Sequence, residues 1–219
     1  MRYLQALRFL HRTYRGYPFG HRLHVFIRFL TCPFLRTLGD LPQFGSVLEI
    51  GAGHGIYSYF AAHRGHRVFA VEPDLRKSIH PEHAPGVQWI AGYDECIRGV
   101  FDAAVIYDAT YRMPVAYRTE VYRRAFERLA PGGTFLLKDM DPRRSWKMAF
   151  ARLQEWLSDR FLKISIGSGF IYQTRAEVEA TLRAIGFEDI RARAIDRGYP
   201  HPHLIYTARK PRIMDAIAP

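Results

Sequence analysis

With 219 residues, 48% of them hydrophobic and 24% charged, the chain has the size and make-up of one globular α/β domain plus an appendage. Its two cysteines, Cys32 and Cys96, show no metal spacing, so neither a disulfide framework nor a zinc site is implied and a reducing cytoplasm is expected. The net charge of +11 is unevenly spread: residues 1–40 carry seven Arg and one Asp, residues 41–140 are balanced at 11 basic and 11 acidic, and residues 141–163 carry six basic and three acidic. That asymmetry points to an anionic partner, nucleic acid or a phospholipid surface.

The chain opens with MRYLQALRFLHRTYRG, in which Arg8 and His11 interrupt any signal-peptide core. No uncharged apolar run reaches the roughly 18 residues needed to span a bilayer. Tyr3, Leu7, Leu10 and Tyr14 recur at helical spacing, which predicts a helix over 3–14 with Arg8, Arg12 and Arg15 on another side. Residues 21–30, HRLHVFIRFL, are apolar nearly all round and should be buried or pushed into lipid. Leu7, Leu10, Phe26 and Phe29, joined to the +6 charge, are the expected anchors for peripheral contact with an anionic membrane. The alternative is that these faces pack on the core. Gly39-Asp40-Leu41-Pro42 marks the join between this segment and the core.

From residue 47 strand and helix patterns alternate. Strands are predicted near 47–51, 67–72, 87–91, 102–107, 133–139, 187–196 and 203–210. Helices are predicted near 55–64, 74–79, 115–130 and 174–185. Between the fifth strand and the last helix lies an insertion, 141–171. Within it Trp146, Phe150, Leu153, Leu157 and Phe161 trace an amphipathic helix, which either packs on the N-terminal helices or lines an apolar acceptor site.

The most informative stretch is Val47-Leu48-Glu49-Ile50-Gly51-Ala52-Gly53-His54-Gly55. A strand, a turn with three glycines and a helix form a nucleotide-binding corner: the glycines permit a tight turn and close ligand approach, and the helix start offers free N–H groups. No Gly-Lys-Ser/Thr comes after it, so it is not a Walker loop. The next strand ends in Glu72-Pro73-Asp74, and Glu72 lies where an acid would accept hydrogen bonds from ribose hydroxyls.

The ordered set VLEIGAGHG (47–55), VFAVEPD (68–74), FDAAVIYD (101–108) and LAPGGTFLLKDM (129–140) resembles the motif series of class I S-adenosylmethionine-dependent methyltransferases over roughly residues 41–210. The resemblance implies a Rossmann-like, seven-stranded, mostly parallel sheet with helices on both faces, and S-adenosyl-L-methionine as cofactor. Residues 1–40 would form a basic helical cap and 41–219 the methyltransferase domain, with 141–171 a lid insertion. It implies a cofactor pocket from Glu49, Gly51, Gly53, Gly55, Glu72, Pro73 and Asp108. Asp94 is a further adenine-side candidate, although Tyr93 takes the place where the family often has Asp. Dinucleotide enzymes share the glycine turn, and a non-catalytic scaffold could keep the same fold.

On the acceptor side, Asp108, Tyr111, Asp139, Tyr172, His201 and His203 are the candidate catalytic residues, with Tyr107, Arg112 and Lys138 beside them. A histidine there could act as a base near neutral pH. Asp108-Ala109-Thr110-Tyr111 stands where N-methyltransferases of base amines carry Asn/Asp-Pro-Pro-Tyr/Phe, and no Pro-Cys nucleophile occurs. The expected acceptor is therefore a small or lipid-like apolar molecule, reached at the inner face of a membrane. The runner-up is RNA held by the basic lid.

Overall fold

A single seven-stranded sheet in the order β3-β2-β1-β4-β5-β7-β6 carries the molecule. The computed structural model describes residues 1–74, 76–77, 86–143, 145–150, 153 and 171–212. The strands are β1 (Ser46–Ile50), β2 (Arg67–Glu72), β3 (Val87–Ala91), β4 (Phe101–Tyr107), β5 (Leu129–Met140), β6 (Glu188–Ala194) and β7 (His203–Arg209). β1 through β5 pair in parallel, and β7 inserts antiparallel between β5 and β6. This is the Rossmann-like α/β arrangement expected from the sequence. The strand order reverses beside β1, so the ends of β1 and β4 flank a switch-point crevice of the kind that binds ligands in α/β sheets.

The helices are α1 (Tyr3–Thr13), α2 (Phe19–Thr31), α3 (Phe34–Thr37), α4 (Ile56–His63), α5 (Val115–Arg128) and α6 (Arg175–Ile185). Their bounds reflect local chemistry. Pro114 precedes α5 with φ near its fixed value. α6 opens on a reciprocal Thr174–Glu177 capping box and ends at Gly186, whose φ of 110° suits glycine. The expected start of β5 after Pro131-Gly132-Gly133 needs correction. The strand begins at Leu129, and the register jumps from Phe101↔Leu129 to Ala103↔Thr134. The Pro-Gly-Gly is thus a bulge inside the strand, where a Cβ on Gly133 would lie 2.7 Å from the Ala130 carbonyl oxygen.

Alternating residues of the central strands feed two cores. Val47, Val68, Ala103, Val105, Leu136 and Ile205 face α1–α4, whereas Leu48, Val71, Ala104, Ile106, Leu137 and Leu204 face α5 and α6. The cap is part of the first core. Ala6, Leu10, Tyr14, Val25 and Phe29 are buried there with Tyr57, Tyr59 and Phe60 of α4. Leu10 and Phe29, expected as membrane anchors, are fully buried, and Leu7 and Phe26 are half-buried against the same core. Burying such side chains contributes roughly 1.5–3 kcal/mol each, enough to dock the cap firmly. Arg8, Arg12 and Arg15 are exposed.

Of the expected helix at 74–79, residues 74, 76 and 77 are described, with 76–77 in a turn, and the other three lie outside the described residues. Of the insertion, 145–150 and 153 are described, with 146–150 and 153 helical. Trp146, Phe150 and Leu153 are exposed, while Met148 packs inward with Met140 and Tyr172. Leu157 and Phe161 lie outside the described residues.

Candidate functional site

The turn after β1 is held by its neighbours. Gly51, Gly53 and Gly55 have φ of 73°, 57° and 73°, the left-handed region that glycine occupies without penalty. The N–H groups of Gly51 and Ala52 both donate to the Val71 carbonyl, at 2.9 and 3.0 Å. A Cβ on Gly51 would meet Ala109 at 2.6 Å, and one on Gly55 would meet the Trp89 ring at 2.7 Å. A Cβ on Gly53 would meet nothing within 4 Å. The turn is therefore packed at both ends and open in the middle, the shape a ligand cradle requires.

Glu72 clamps that cradle. One carboxylate oxygen accepts from Gly53 N–H at 2.8 Å, and the other accepts from Asp74 N–H at 3.0 Å with Lys77 Nζ at 3.6 Å. Pro73 is exposed just beyond it. The Gly92 N–H reaches the Glu72 carbonyl at 3.3 Å, which brings the turn after β3 to the same edge; Asp94 begins a short helical turn there, Asp94–Cys96. Glu49 points to the helix side, where its buried carboxyl accepts from Ser58 Oγ of α4. Burial pushes its pKa up to about 8 against the opposing Ser58 bond.

The cap reaches over the turn. Tyr14 Oη donates to the His54 carbonyl at 2.5 Å, and His21 Nδ1 lies 2.9 Å from His54 Nε2. The His24 ring lies 4.8 Å from that of His54. Burial, then His24 and His21, lower the His54 pKa to about 3, so the ring is neutral at pH 7.

Asp108 directly follows β4 with φ of 55°, an uncommon value for a residue with a side chain. Both carboxylate oxygens are engaged: Oδ1 by buried Lys138 Nζ, and Oδ2 by Arg28 Nη2 of α2 at 2.9 Å and the Cys32 thiol at 3.6 Å. Burial alone would raise its pKa, but Lys138 and Arg28 outweigh it and hold it below the usual carboxylate range. Two cations thus face one carboxylate. His203 adjoins this cluster; its Nε2 donates to the Thr31 carbonyl at 2.7 Å, and its buried Nδ1 has no hydrogen-bond partner among the described residues. Burial and the Lys138 charge depress its pKa and keep it neutral. The His201 ring lies beside it, tilted by 53° with centroids 5.8 Å apart, and 5.9 Å from the ring of Phe150.

The remaining candidates divide. Asp139 lies on the α5 face, where its Oδ2 accepts from Thr110 Oγ1 at 2.8 Å and its Oδ1 from Met140 N–H at 2.7 Å. Burial raises its pKa to about 6. It ties the turn after β4 to β5. Tyr111 and Tyr172 stack with centroids 5.9 Å apart, joining that turn to the segment after the insertion. Tyr107 is a core residue, stacked between Phe34 and Tyr57 at 4.6 and 5.2 Å. Arg112 closes the short turn Thr110–Arg112.

Four contributors carry no clear mark in the sequence. Arg28 and Cys32 approach Asp108 from 80 and 76 residues away. The signal for Arg28 is a cation inside the otherwise apolar HVFIRFL. Ser58 pairs with Glu49, and buried Arg118 donates to the Met113 and Ile171 carbonyls and to Gln173, pinning the turn after β4 to residues 171–173.

Comparisons with known proteins agree with this geometry. The methyltransferase-domain model Methyltransf_23 matches residues 20–192. No curated protein sequence matches the chain. The fold is similar to that of the S-adenosylmethionine-dependent methyltransferase SibL, with a TM-score of 0.69, 18% identity and coverage of 88% of this chain and 58% of that one. It is also similar to the SAH-bound form of CalO1, a methyltransferase in calicheamicin biosynthesis, with a TM-score of 0.65, 17% identity and 88% and 55% coverage. A third similar fold is phosphoethanolamine N-methyltransferase 2 of Haemonchus contortus in complex with S-adenosyl-L-methionine, with a TM-score of 0.60, 16% identity and 82% and 51% coverage. The chain spans a little over half the length of each. The glycine turn, the clamping acid and the strand order are those of the class I methyltransferase fold, and the chain belongs to the Methyltransf_23 family of methyltransferase domains.

Proposed function

We propose that this chain is an S-adenosylmethionine-dependent methyltransferase acting on a small or lipid-like apolar acceptor. The observation that carries the cofactor assignment is the cradle: a turn open only at Gly53 and clamped by the Glu72 carboxylate. Gly51, Gly53 and Gly55 would shape the methionine and ribose side, Glu72 would hold the ribose hydroxyls, and the turn at Asp94 would border the adenine. Bound S-adenosylmethionine supplies an electrophilic methyl group on a sulfonium. The protein's part is to align the acceptor and exclude water, so one dedicated acid or base need not define the site.

On the α1–α4 face of the sheet, Arg28 and Lys138 set two cations against the single carboxylate of Asp108, while Asp139 lies on the opposite face at the end of β5. Two cations against one carboxylate favour an acceptor that attacks as an anion, a deprotonated hydroxyl or a carboxylate, over a neutral amine. His203 adjoins that cluster, but its Nδ1 is buried and its pKa depressed by burial and Lys138, so its part is to position the Thr31 carbonyl through Nε2–H rather than to act as a base near neutral pH. Phe150 beside His201, with exposed Trp146 one turn earlier on the same helix, gives the rim an apolar character suited to a hydrophobic acceptor.

The test is methyl transfer from radiolabelled S-adenosylmethionine to a total lipid extract and to total RNA, using the full chain. Label is expected in the lipid fraction. Label in RNA alone would overturn the acceptor assignment.

A further inference from the structure

The outer face of α2 is unusual for a helix that already buries one side. Val25 and Phe29 are buried in the first core. Yet Phe19, Leu23, Ile27 and Leu30 are 75%, 48%, 45% and 52% exposed. These four recur at i, i+4, i+8 and i+11, one continuous stripe along the helix, and Leu4 of α1 is 71% exposed in the same cap. Isolated exposed apolar residues are ordinary; a stripe of four large ones on one helix face is not.

The stripe has a charged border. Leu7, Arg8, His11 and Arg12 of α1 and Phe26 of α2 line a groove of about 400 Å³ between the two helices. The groove therefore runs along the edge of α2 next to the stripe and presents two guanidinium groups to solvent. Arg22 lies on α2 itself, half-exposed. The first 39 residues hold seven arginines and no acidic residue.

We infer that this face is a membrane-docking surface, in which the Phe19–Leu30 stripe inserts into an anionic leaflet while Arg8, Arg12 and Arg22 engage lipid phosphates. The pairing of an apolar stripe with a basic border is what interfacial binding needs, since neither signal alone holds a protein firmly. Charge complementarity selects the occupant. A second copy of the chain would bring the same arginine border against itself, with no carboxylate in residues 1–39 to offset it. The residues involved are distinct from the buried Leu10 and Phe29, so docking needs no unfolding of the cap. Helix α2 also carries Arg28 to Asp108, which places the docked face one helix diameter from the proposed acceptor site. Docking is independent of the acceptor assignment, because it is measured without methyl transfer.

The experiment is co-sedimentation of the full chain with phosphatidylglycerol–phosphatidylcholine vesicles and with pure phosphatidylcholine vesicles, at about 0.05 and 0.5 M salt. Binding is expected to the anionic vesicles at low salt and to fall by roughly tenfold or more at high salt, as the Debye length shrinks. Leu23→Glu/Ile27→Glu should abolish it, and Arg8→Glu/Arg12→Glu should weaken it by at least roughly tenfold. Both pairs are on the surface, and circular dichroism should confirm an unchanged fold. Unaltered binding by the Leu23→Glu/Ile27→Glu protein, or no binding by the parent chain, would overturn the inference. So would an oligomer of the parent chain that this double variant dissociates, because a second copy would then be the occupant.

Discussion

Asp108→Asn should cost more stability than any other single change near the site, on the order of 3–5 kcal/mol in urea unfolding. Asparagine preserves the shape and tolerates the left-handed backbone at this position, where φ is 55°. What it removes is the carboxylate that pairs with both Lys138 and Arg28. Lys138 is fully buried and would be left with an uncompensated charge. Lys138→Met should cost less, because Arg28 still neutralises Asp108. The double variant should recover part of the Asp108→Asn loss, and that non-additivity is the coupling between the two side chains. The pH dependence has a definite sign. The folded pKa of Asp108 is depressed, because Lys138 and Arg28 outweigh its burial, so its stabilisation is present above the ordinary carboxylate pKa and lost as pH falls below it. In Asp108→Asn that component of acid sensitivity should vanish. Additive losses would show that the two groups do not interact.

Glu49 gives the second large effect, with the opposite sign. Its folded pKa is raised to about 8, chiefly by burial, from an ordinary value of 4.5. The folded state therefore holds a proton that the unfolded chain releases. The stability from this group is complete below about pH 4.5 and falls as pH rises toward 8. A shift of that size corresponds to several kcal/mol, on the order of 1.4 per pH unit. Glu49→Gln keeps the shape and cannot ionise, so thermal unfolding from about pH 5 to about pH 9 should show a flatter profile and a higher Tm near pH 8. An unchanged profile would mean that Glu49 is ionised in the native protein.

The sheet was legible because each parallel strand is a short apolar run set off by glycine, proline or acidic residues. The bulge in β5 was not. Pro131-Gly132-Gly133 reads as a turn, and only the register against β4 reveals that the strand starts earlier. The glycine cradle was legible for a similar reason, since its glycines and Glu72 cluster in sequence. The Asp108 cluster was legible only in part: Asp108, Lys138 and His203 fall at the predicted strand ends, whereas Arg28 and Cys32 reach them only through tertiary packing of α2 over the ends of β4, β5 and β7. Of the α1 face Tyr3, Leu7, Leu10 and Tyr14 that periodicity groups, Leu10 and Tyr14 are buried, Leu7 is half-buried and Tyr3 is exposed. Periodicity could not say that α2, apolar on nearly every side, turns Val25 and Phe29 inward and leaves Leu23 and Ile27 in solvent. Which side of such a helix meets the core is set by its partners, not by its own pattern.

The cradle at Gly53 should hold S-adenosylmethionine, and titration calorimetry of the folded full chain with S-adenosylmethionine and S-adenosylhomocysteine tests this most directly. Binding of both is expected, with Glu72→Ala weaker and Gly53→Arg weaker by roughly a hundredfold, about 2.7 kcal/mol. A side chain at Gly53 enters open space but must adopt a left-handed φ of 57°, which costs roughly 1–2 kcal/mol, so circular dichroism of the variant should accompany the titration and show the fold retained while the ligand is displaced. A folded parent protein that binds neither molecule, or a Gly53→Arg variant that binds both as tightly, would contradict the assignment.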